Sequence, residues 1–503
     1  MAVFVGCDLG TMGTKAAVVD VGGRILAQAF EEVPVHAPRP GIVEQDLNEI
    51  ERSAFRTIRA ALQRAGQPSA VAGVAFSGQM SGIGTIDEEF RPATHFDSWL
   101  DSRCAPYIRA MGSKAARVTE VAGCPPTYSH GPKMLWWQHE RPQDFTRVAK
   151  FVVPGAYLAG RMCGLSAENA FIDRTYLHFT NLADTASARW SDELIDAFGI
   201  ERSVLPRIVD PLDVIGEVTA EAAAASGIPA GTPVAAGAGD QAAASLGAGV
   251  AEPGQAFDSA GTASVFALCV DRFAPDIANQ TFMATNSVIP GVYLSVAFVN
   301  GGGLGLRWFR DEVARLGDDP DAYRKLDDLA AASEPGAGGL VWYPHFQGRV
   351  LPPDPYARGG WLGLTAGHHL GDLFRAILEG IAFEYARWAQ LMAELAGRQP
   401  EQARVLGGGA RSRLWNQIKA DVLGIDWVPT RRQECGVLGD ALIAAAATGY
   451  VEVEELPAVA QSWQQTEKPI RPDPERHRQY RRLLEAYREL SAAAPSIFER
   501  LSG

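Results

Sequence analysis

Asp240 is the residue of this sequence best placed for acid–base chemistry. It lies in the segment AGAGDQ, residues 236–241, directly after an apolar run that predicts a buried strand. A carboxylate between small residues at the end of such a strand can be approached by a ligand and can accept the proton of a hydroxyl group. Aspartate is also a favoured helix N-cap, and an alanine-rich helix is predicted to follow. Both roles stay open for Asp240.

Four glycine-containing turns, each after an apolar strand, could bind phosphate. They are the segments DLGTMGTK (8–15), SAGT (259–262), NGGG (300–303) and GGGARS (407–412). Glycine lets a phosphate approach the backbone N–H groups, and small hydroxyl side chains add donors. The hydroxyl side chains in these turns are Thr11, Thr14, Thr262 and Ser412. Each turn taken alone could be an ordinary hairpin turn, and the sequence contains no GxxxxGK[ST] motif of the Walker type.

The bulk composition indicates a folded, acidic protein. Hydrophobic residues make up 47% and charged residues 21% of the chain, and the formal net charge is -13. Nucleic acids and anionic membranes both require basic surface, so neither is expected as a partner. The N-terminus lacks a signal-peptide pattern, and no run reaches the ~18 apolar residues of a membrane span. The six scattered cysteines have no zinc-ligand spacing, which favours a reduced protein in the cytoplasm.

A chain of 503 residues is too long for one hydrophobic core, so at least two domains are expected. Short apolar strands alternate with amphipathic helices, which is typical of an α/β protein. The chain opens with strands over residues 3–35, and a strand–turn–strand pattern returns at residues 256–270. In both places an aspartate, Asp8 or Asp258, precedes a Gly-Thr turn, which hints at duplication. We place the domains at residues 1–247 and 248–503.

Three helices are well marked in the sequence. Asp46 is a candidate N-cap, Glu49 follows three residues later, and Gly66 is the stop signal of that helix. A second helix is predicted over residues 372–396, and a charged amphipathic helix begins at residue 474. These helices must cover the strands and thereby position the turns described above.

The ordered set of motifs resembles the FGGY carbohydrate kinase family. DLGTMGTK, SWLDSRC (98–104), GAGDQ, DSAGT and LGGGARS occur in the order and rough spacing of that family. The strongest match is GGWLGL (359–364) followed by DLFRAILE (372–379), which fits the C-terminal signature of the family. The resemblance extends from about residue 4 to about residue 448. Any single motif is common by chance, whereas the ordered set is specific.

This resemblance implies two ribonuclease H-like domains of the actin and sugar-kinase superfamily, with ATP, Mg²⁺ and a small sugar in the cleft between them. Asp240 would be the catalytic base, and Asp8 would hold Mg²⁺. The residues implied at the sugar are Gln79, Met80, Ser81, Trp99, Asp101 and Gln241. Those implied at the ATP phosphates and the adenosine are Gly10, Thr11, Lys15, Gly261, Thr262, Gly303, Arg307, Gly408, Gly409 and Ser412, and Thr14 joins them as a hydroxyl donor of the first turn.

Within that family the chain is most similar to xylulokinases, and two departures fall at the implied sugar site. Ser81 replaces the histidine of the usual GQMHG loop, and Leu100 replaces the asparagine of the usual WND segment. Each change removes a hydrogen-bonding group of the usual motif, so the identity of the sugar stays open. D-xylulose is the first candidate substrate, and another ketose, a deoxy-ketose or a polyol is the alternative. A third departure, GRVLP at residues 348–352, has no physical explanation in the sequence.

Two other functions on the same fold are alternatives. One is an actin-like ATPase that works through partner proteins, and the other is a sugar sensor without catalysis. Asp240 and the set of Gly-Thr turns favour the kinase. His130, His368 and His369 have no partners at metal-ligand spacing and are expected in loops or at the surface. The sequence leaves the oligomeric state open, with a homodimer as one option.

Overall fold

The first half of the chain folds around a seven-stranded mixed sheet. The computed structural model describes residues 2–66, 71–261, 263–346, 348–432 and 434–501. The strands of this first sheet are Val3–Leu9, Gly13–Asp20, Ile25–Glu32, Val71–Gly78, Val214–Glu217, Pro233–Ala235 and Ala238–Gly239. The first strand pairs antiparallel with the second and parallel with Val71–Gly78. That register places Asp8 opposite Ser77 at one end of the sheet.

The second half folds around a six-stranded sheet. Its strands are Gln255–Ala260, Ser264–Val270, Met283–Asn286, Tyr293–Val299, Gln402–Leu406 and Asp426–Pro429. The first of these strands pairs antiparallel with the second and parallel with Gln402–Leu406. Each half therefore opens with a hairpin whose first strand pairs with a parallel strand from later in the same half. The two halves thus share a strand topology, and Asp8 and Asp258 lie on equivalent strands.

Helices and short ribbons surround the two sheets. The α-helices of the first half are Leu47–Arg64, Ala105–Gly112, Ala115–Ala122, His130–Glu140, Pro142–Phe145, Pro154–Cys163, Leu177–Thr180, Asp192–Phe198, Ala220–Ser226 and Asp240–Gly247. Those of the second half are Gly302–Trp308, Ala322–Ala331, Leu370–Ala396, Arg413–Leu423, Cys435–Ala447, Leu456–Trp463 and Pro474–Leu501. The short strands outside the main sheets are His36–Arg39, Ile42–Gln45, Gly84–Ile86, Phe96–Asp97, Lys150–Val152, Phe171–Asp173, Ala183–Asp184, Arg189–Trp190, Arg207–Val209, Val341–Tyr343 and Gly360–Leu362.

The helix Cys435–Ala447 belongs to the second half of the sequence but packs on the sheet of the first half. Glycines make this contact possible. A Cβ atom on Gly6 would lie 2.0 Å from the Val437 carbonyl oxygen, and one on Gly439 would lie 1.9 Å from the Ala243 carbonyl oxygen. Either addition would force the backbones apart, because real side chains do not approach so closely. This helix therefore joins the two halves beside the strand that carries Asp8.

The main elements lie where the sequence predicted them. Asp46 caps the first helix by accepting a hydrogen bond from the Asn48 N–H, and the long helix and the terminal helix run over Leu370–Ala396 and Pro474–Leu501. All six cysteines are free. Among the described residues, no helix combines the length and the apolar character needed to cross a membrane.

Candidate active site

A cavity of about 250 Å³ lies between the two halves, at the end of the first sheet that carries Asp8. Most of the residues predicted at the sugar line it. These are Gln79, Met80, Ser81, Trp99 and Gln241. The predicted base Asp240 and Thr11 of the first glycine turn also line the cavity. Trp99 donates a hydrogen bond from its indole N–H to the Thr11 hydroxyl over 2.8 Å. The predicted base, the predicted sugar loop and one predicted phosphate turn therefore meet at a single cavity.

Asp240 is the first residue of the helix Asp240–Gly247, and the N-cap of that helix is Gly239. The N-cap role considered for Asp240 is therefore wrong, and its carboxylate is free to face the cavity. The Gly239 N–H donates to the Thr175 hydroxyl at 2.8 Å, which anchors the turn before the helix. Burial, and next the negative charge of Asp8, raise the pKa of Asp240 to about 7, although hydrogen bonds from Gln241 act in the opposite direction.

A group of buried polar residues surrounds Asp8. Ser77 Oγ lies 3.4 Å from Asp8 Oδ1 and donates a 2.9 Å hydrogen bond to Asp440 Oδ2. Asp440 comes from the helix Cys435–Ala447, and its Oδ1 is buried without a hydrogen-bond partner. Burial, and then repulsion from Asp8, raise the pKa of Asp440 well above its usual range. Burial also raises the pKa of Asp8, while the nearby Lys15 lowers it.

This arrangement suits a cation that is shared with a ligand. Mg²⁺ typically binds proteins through one or two carboxylates and completes its shell with water and substrate phosphates. Asp8 is only partly buried, and Asp440 presents an unpaired oxygen behind it. Within the described ranges, no group of three or more His, Cys, Asp or Glu side chains is arranged to hold a metal ion unaided. The residues therefore fit Mg²⁺ that arrives with a phosphate ligand better than a resident metal.

The first turn predicted to bind phosphate joins the strands Val3–Leu9 and Gly13–Asp20. The Gly10 N–H donates to the Gly13 carbonyl at 3.1 Å, and Lys15 forms an ion pair with Glu434 from the second half. Thr14 differs from its neighbours, because it is 1% exposed, does not line the cavity and has no hydrogen-bond partner for its hydroxyl. Of the residues in this turn, Thr11 lines the cavity and Thr14 is buried away from it.

The glycine turns of the second half pack against one another. The Gly261 N–H donates to the Ala263 carbonyl at 2.9 Å, and Thr262 lies outside the described residues. Gly409 is adjacent, because a Cβ atom there would lie 2.4 Å from the Ala260 Cβ. Ser412 is the N-cap of the helix Arg413–Leu423 and accepts a hydrogen bond from the Trp415 N–H. The predicted second phosphate turn and the predicted adenosine turn are therefore neighbours.

Three other predicted nucleotide residues lie near these turns but away from the sugar cavity. Gly303 and Arg307 are on the helix Gly302–Trp308, which follows the strand Tyr293–Val299. Gly408 opens the 3₁₀ turn Gly408–Arg411. None of the three lines the cavity, and their role at the nucleotide stays a prediction.

Asp258 occupies the same place in its half as Asp8 but has a different setting. Its carboxylate is buried in an ion pair with Lys419 and accepts a hydrogen bond from the Tyr385 hydroxyl at 2.7 Å. Lys419 in turn lies 3.6 Å from the centroid of the Trp415 ring. The duplication thus keeps the fold in both halves, while the carboxylate of the second half is neutralised inside the core.

Two residues predicted at the sugar do not reach the cavity. Leu100, which stands at a position implied near the sugar, is 46% exposed and does not line it. Asp101 is fully buried, and its carboxylate accepts hydrogen bonds from the Arg103 side chain and from the Val43 N–H. Asp101 therefore supports the loop that carries Trp99. Ser81 does line the cavity, and its hydroxyl donates to the Tyr128 carbonyl at 2.8 Å.

The structure also places two buried histidines beside the sugar loop. His130, which was expected in a loop or at the surface, begins a helix and is fully buried, with Nε2 2.7 Å from the Met80 carbonyl oxygen. His178 lines the cavity and is 1% exposed, and its Nδ1 has no partner. Burial lowers the pKa of both imidazoles to about 3, so both are neutral at physiological pH. No sequence pattern around His178 indicated its position.

Comparison with known proteins identifies the family of the chain. Residues 3–247 match the N-terminal domain of the FGGY family of carbohydrate kinases, and residues 257–448 match the C-terminal domain of that family. A xylulose kinase from Staphylococcus epidermidis is 27% identical over 96% of this chain and 95% of its own length. A gluconokinase from Bacillus subtilis is 26% identical over 89% of this chain and 88% of its own length.

A solved structure shows the same architecture. The crystal structure of xylulose kinase from Rhodospirillum rubrum superposes with a TM-score of 0.90 at 26% identity, covering 98% of this chain and 99% of that chain. The α/β fold predicted from the sequence, with two sugar-kinase domains, is thereby confirmed. Because the family model covers most of the sequence, the chain belongs to the FGGY family of carbohydrate kinases.

Proposed function

We propose that this protein transfers the γ-phosphate of ATP to a hydroxyl of a small neutral ketose, with D-xylulose as the first substrate to test. The observation that carries the proposal is the Asp240 carboxylate, which has a pKa of about 7 and lies on a cavity shared by the two halves. A base with this pKa is well matched to proton transfer near neutral pH. A cytoplasmic location fits the proposal, because all six cysteines are free.

In the proposed reaction, the oxygen of a sugar hydroxyl attacks the γ-phosphorus while Asp240 accepts the hydroxyl proton. The bond between the γ-phosphorus and the ADP oxygen breaks, and ADP leaves. Asp8 would hold Mg²⁺, and a bound Mg²⁺ ion neutralises charge on the phosphates. Gly10 and Lys15 would face the phosphates from the first half, and Gly261 from the second. The two halves must hold the hydroxyl and the phosphate in line, which is the main source of catalysis in phosphoryl transfer.

A neutral substrate is favoured over an acidic one such as gluconate. Among the described residues that line the cavity there is no lysine or arginine, and the one ionisable carboxyl group there is Asp240. A substrate carboxylate would therefore enter the cavity without a cationic partner and close to a second carboxylate, which is costly. The identity to a gluconokinase, 26%, is close to the 27% identity to a xylulose kinase, so sequence identity does not separate the two substrates and the cavity lining carries the argument.

A substrate screen tests this proposal. ADP release would be followed with ATP, Mg²⁺ and each member of a panel of pentuloses, hexuloses, tetritols and gluconate. We expect at least one neutral ketose or polyol to raise ADP release ~10²-fold or more over the rate without sugar, and gluconate to raise it much less. Stimulation by gluconate alone would contradict the assignment of a neutral substrate.

The pKa of Asp240 predicts a pH dependence. A base must be deprotonated to act, so activity is lost as the pH falls through the pKa, and kcat/KM for the sugar reports this group in the enzyme form that binds the sugar. With saturating MgATP, we expect kcat/KM for the sugar to fall below about pH 7 by up to tenfold per pH unit. The residual activity of Asp240→Asn should lack this acidic limb. A profile that is flat between pH 5.5 and 8 in the wild type would contradict the prediction.

A further inference from the structure

The two walls of the cavity differ in chemistry. The wall from the first half carries Asp240, Gln241, Gln79 and His178, all of which can hydrogen-bond a ligand. The wall from the second half is formed mainly by apolar side chains. They are Val265, Met283, Leu294, Val296 and Phe298.

Strand geometry makes the second wall continuous. Leu294, Val296 and Phe298 alternate along the strand Tyr293–Val299 and therefore project to the same side of the sheet. Neighbouring strands extend this face, because Met283 is directly opposite Val296 and Val265 is directly opposite Phe298. We call these five side chains the apolar wall.

The apolar wall offers a ligand no polar partner among the described side chains. The remaining polar side chain on the same sheet face is Thr285, and its hydroxyl already donates to the Thr175 carbonyl at 3.0 Å. A substrate hydroxyl pressed against this wall would lose its water partners and gain none, whereas a methyl or methylene group would be buried favourably. The wall therefore selects against hydroxyls on that edge of the substrate.

The opposite wall shows where substrate hydroxyls can bind. Gln79 Oε1, Gln241 Oε1 and His178 Nδ1 are all buried without hydrogen-bond partners. These atoms can accept hydrogen bonds from substrate hydroxyls, because the His178 imidazole is neutral and the glutamine oxygens are ordinary amide acceptors. Unpaired buried acceptors are costly, so a ligand that supplies hydroxyls on this side only would complete the site.

We propose that the preferred substrate is a deoxy-ketose, with hydroxyls along the edge that faces Asp240 and a hydroxyl-free terminal carbon against the apolar wall. This inference rests on the kinase function proposed above and specifies its substrate class. The deoxy carbon takes no part in phosphoryl transfer, so the reaction is the same as for the fully hydroxylated ketose. The difference between the two sugars lies in binding and orientation.

Matched sugar pairs test this proposal. D-xylulose and D-fructose would each be compared with their 1-deoxy and terminal-deoxy analogues, with formation of the sugar phosphate as the readout. We expect at least one analogue to exceed its parent sugar in kcat/KM by about tenfold or more, the effect of relieving one unpaired buried hydroxyl. If every parent sugar matches or exceeds its analogues, the deoxy-ketose proposal is wrong while the kinase function stands. If no sugar is phosphorylated at all, the kinase function fails as well.

Variants of the apolar wall provide a second test. Val296→Thr keeps the shape of the side chain and adds a hydroxyl to the wall, so it should reduce the preference for the deoxy sugar several-fold. Ala297→Ser is the matched control, because Ala297 projects to the other side of the same strand and packs in a different core. The control should leave the kcat/KM ratio of the two sugars unchanged.

The ratio of two sugars is insensitive to the fraction of folded enzyme. If Val296→Thr does not fold, Phe298→Tyr replaces it, because Phe298 is only partly buried and its ring can carry a hydroxyl at the edge of the wall. An unchanged sugar preference in the folded wall variant would overturn the proposal. A reduced preference for the deoxy sugar in that variant, together with an unchanged preference in Ala297→Ser, would support the proposal.

Discussion

Replacing Asp240 with asparagine is expected to lower kcat for sugar phosphorylation ~10²-fold or more. The amide keeps the size and the hydrogen-bonding shape of the carboxylate but cannot take the hydroxyl proton. The KM for ATP should change little, because the residues predicted at the adenosine, Gly408, Gly409 and Ser412, do not line the cavity that Asp240 lines. Steady-state kinetics with the sugar found in the screen would measure both quantities.

The thermal stability of Asp240→Asn separates lost chemistry from lost folding. Burial and the charge of Asp8 both disfavour the ionised Asp240 carboxylate, so a neutral amide should leave the Tm unchanged or raise it slightly at pH 8. Asp328→Asn is the control for the substitution itself, since that side chain is 71% exposed, and it should behave as the wild type. A kcat for Asp240→Asn within a few-fold of the wild type would remove Asp240 from the role of base.

Replacing Asp8 with alanine is expected to raise the Mg²⁺ concentration needed for half-maximal activity at least tenfold, or to abolish activity. The reason is that Asp8 is the partly exposed carboxylate at the end of the strand that leads into the first phosphate turn. Mg²⁺ keeps much of its water shell, so the contact need not be direct. A Mg²⁺ titration of activity would measure the effect, and binding of Mn²⁺ in the presence of ATP would give a readout independent of turnover.

The stability of the Asp8 variant is again informative. Burial disfavours the ionised forms of both Asp8 and Asp440, and the charge of Asp8 further disfavours that of Asp440, so loss of Asp8 should not unfold the chain. An unchanged Mg²⁺ titration in a folded Asp8→Ala protein would refute its metal role. Loss of Mn²⁺ binding together with a wild-type Tm is the result that the proposal requires.

Local sequence signals were sufficient to predict most of the fold. The Asp46 cap, the apolar runs and the glycine stops depend on near neighbours, so the helix Leu47–Arg64 and both opening hairpins could be predicted. The position of Asp240 at a cavity could also be predicted, because the residues around it are small and let a ligand approach. What local signals could not show is that Gly239 and not Asp240 would cap the following helix.

The remaining features of the site depend on contacts between distant parts of the chain. Asp440 reaches Ser77 across 363 residues of sequence, and its only local signal is a single carboxylate in an otherwise apolar helix. Asp258 resembles Asp8 in sequence and differs from it only because Lys419 neutralises it in the fold. Leu100 follows a motif residue, yet its side chain faces solvent, which motif position alone does not reveal.

The central claim is that the γ-phosphate of ATP ends on a sugar. Phosphorus NMR of a reaction with ATP, Mg²⁺ and the best sugar of the screen would follow that phosphate directly. The account predicts a sugar phosphate signal that grows in step with ADP, requires the sugar and is lost in Asp240→Asn. Release of inorganic phosphate at a rate that is the same with and without sugar would contradict it and would favour an actin-like ATPase. Binding of sugar without any consumption of ATP would also contradict the account and would favour a sensor.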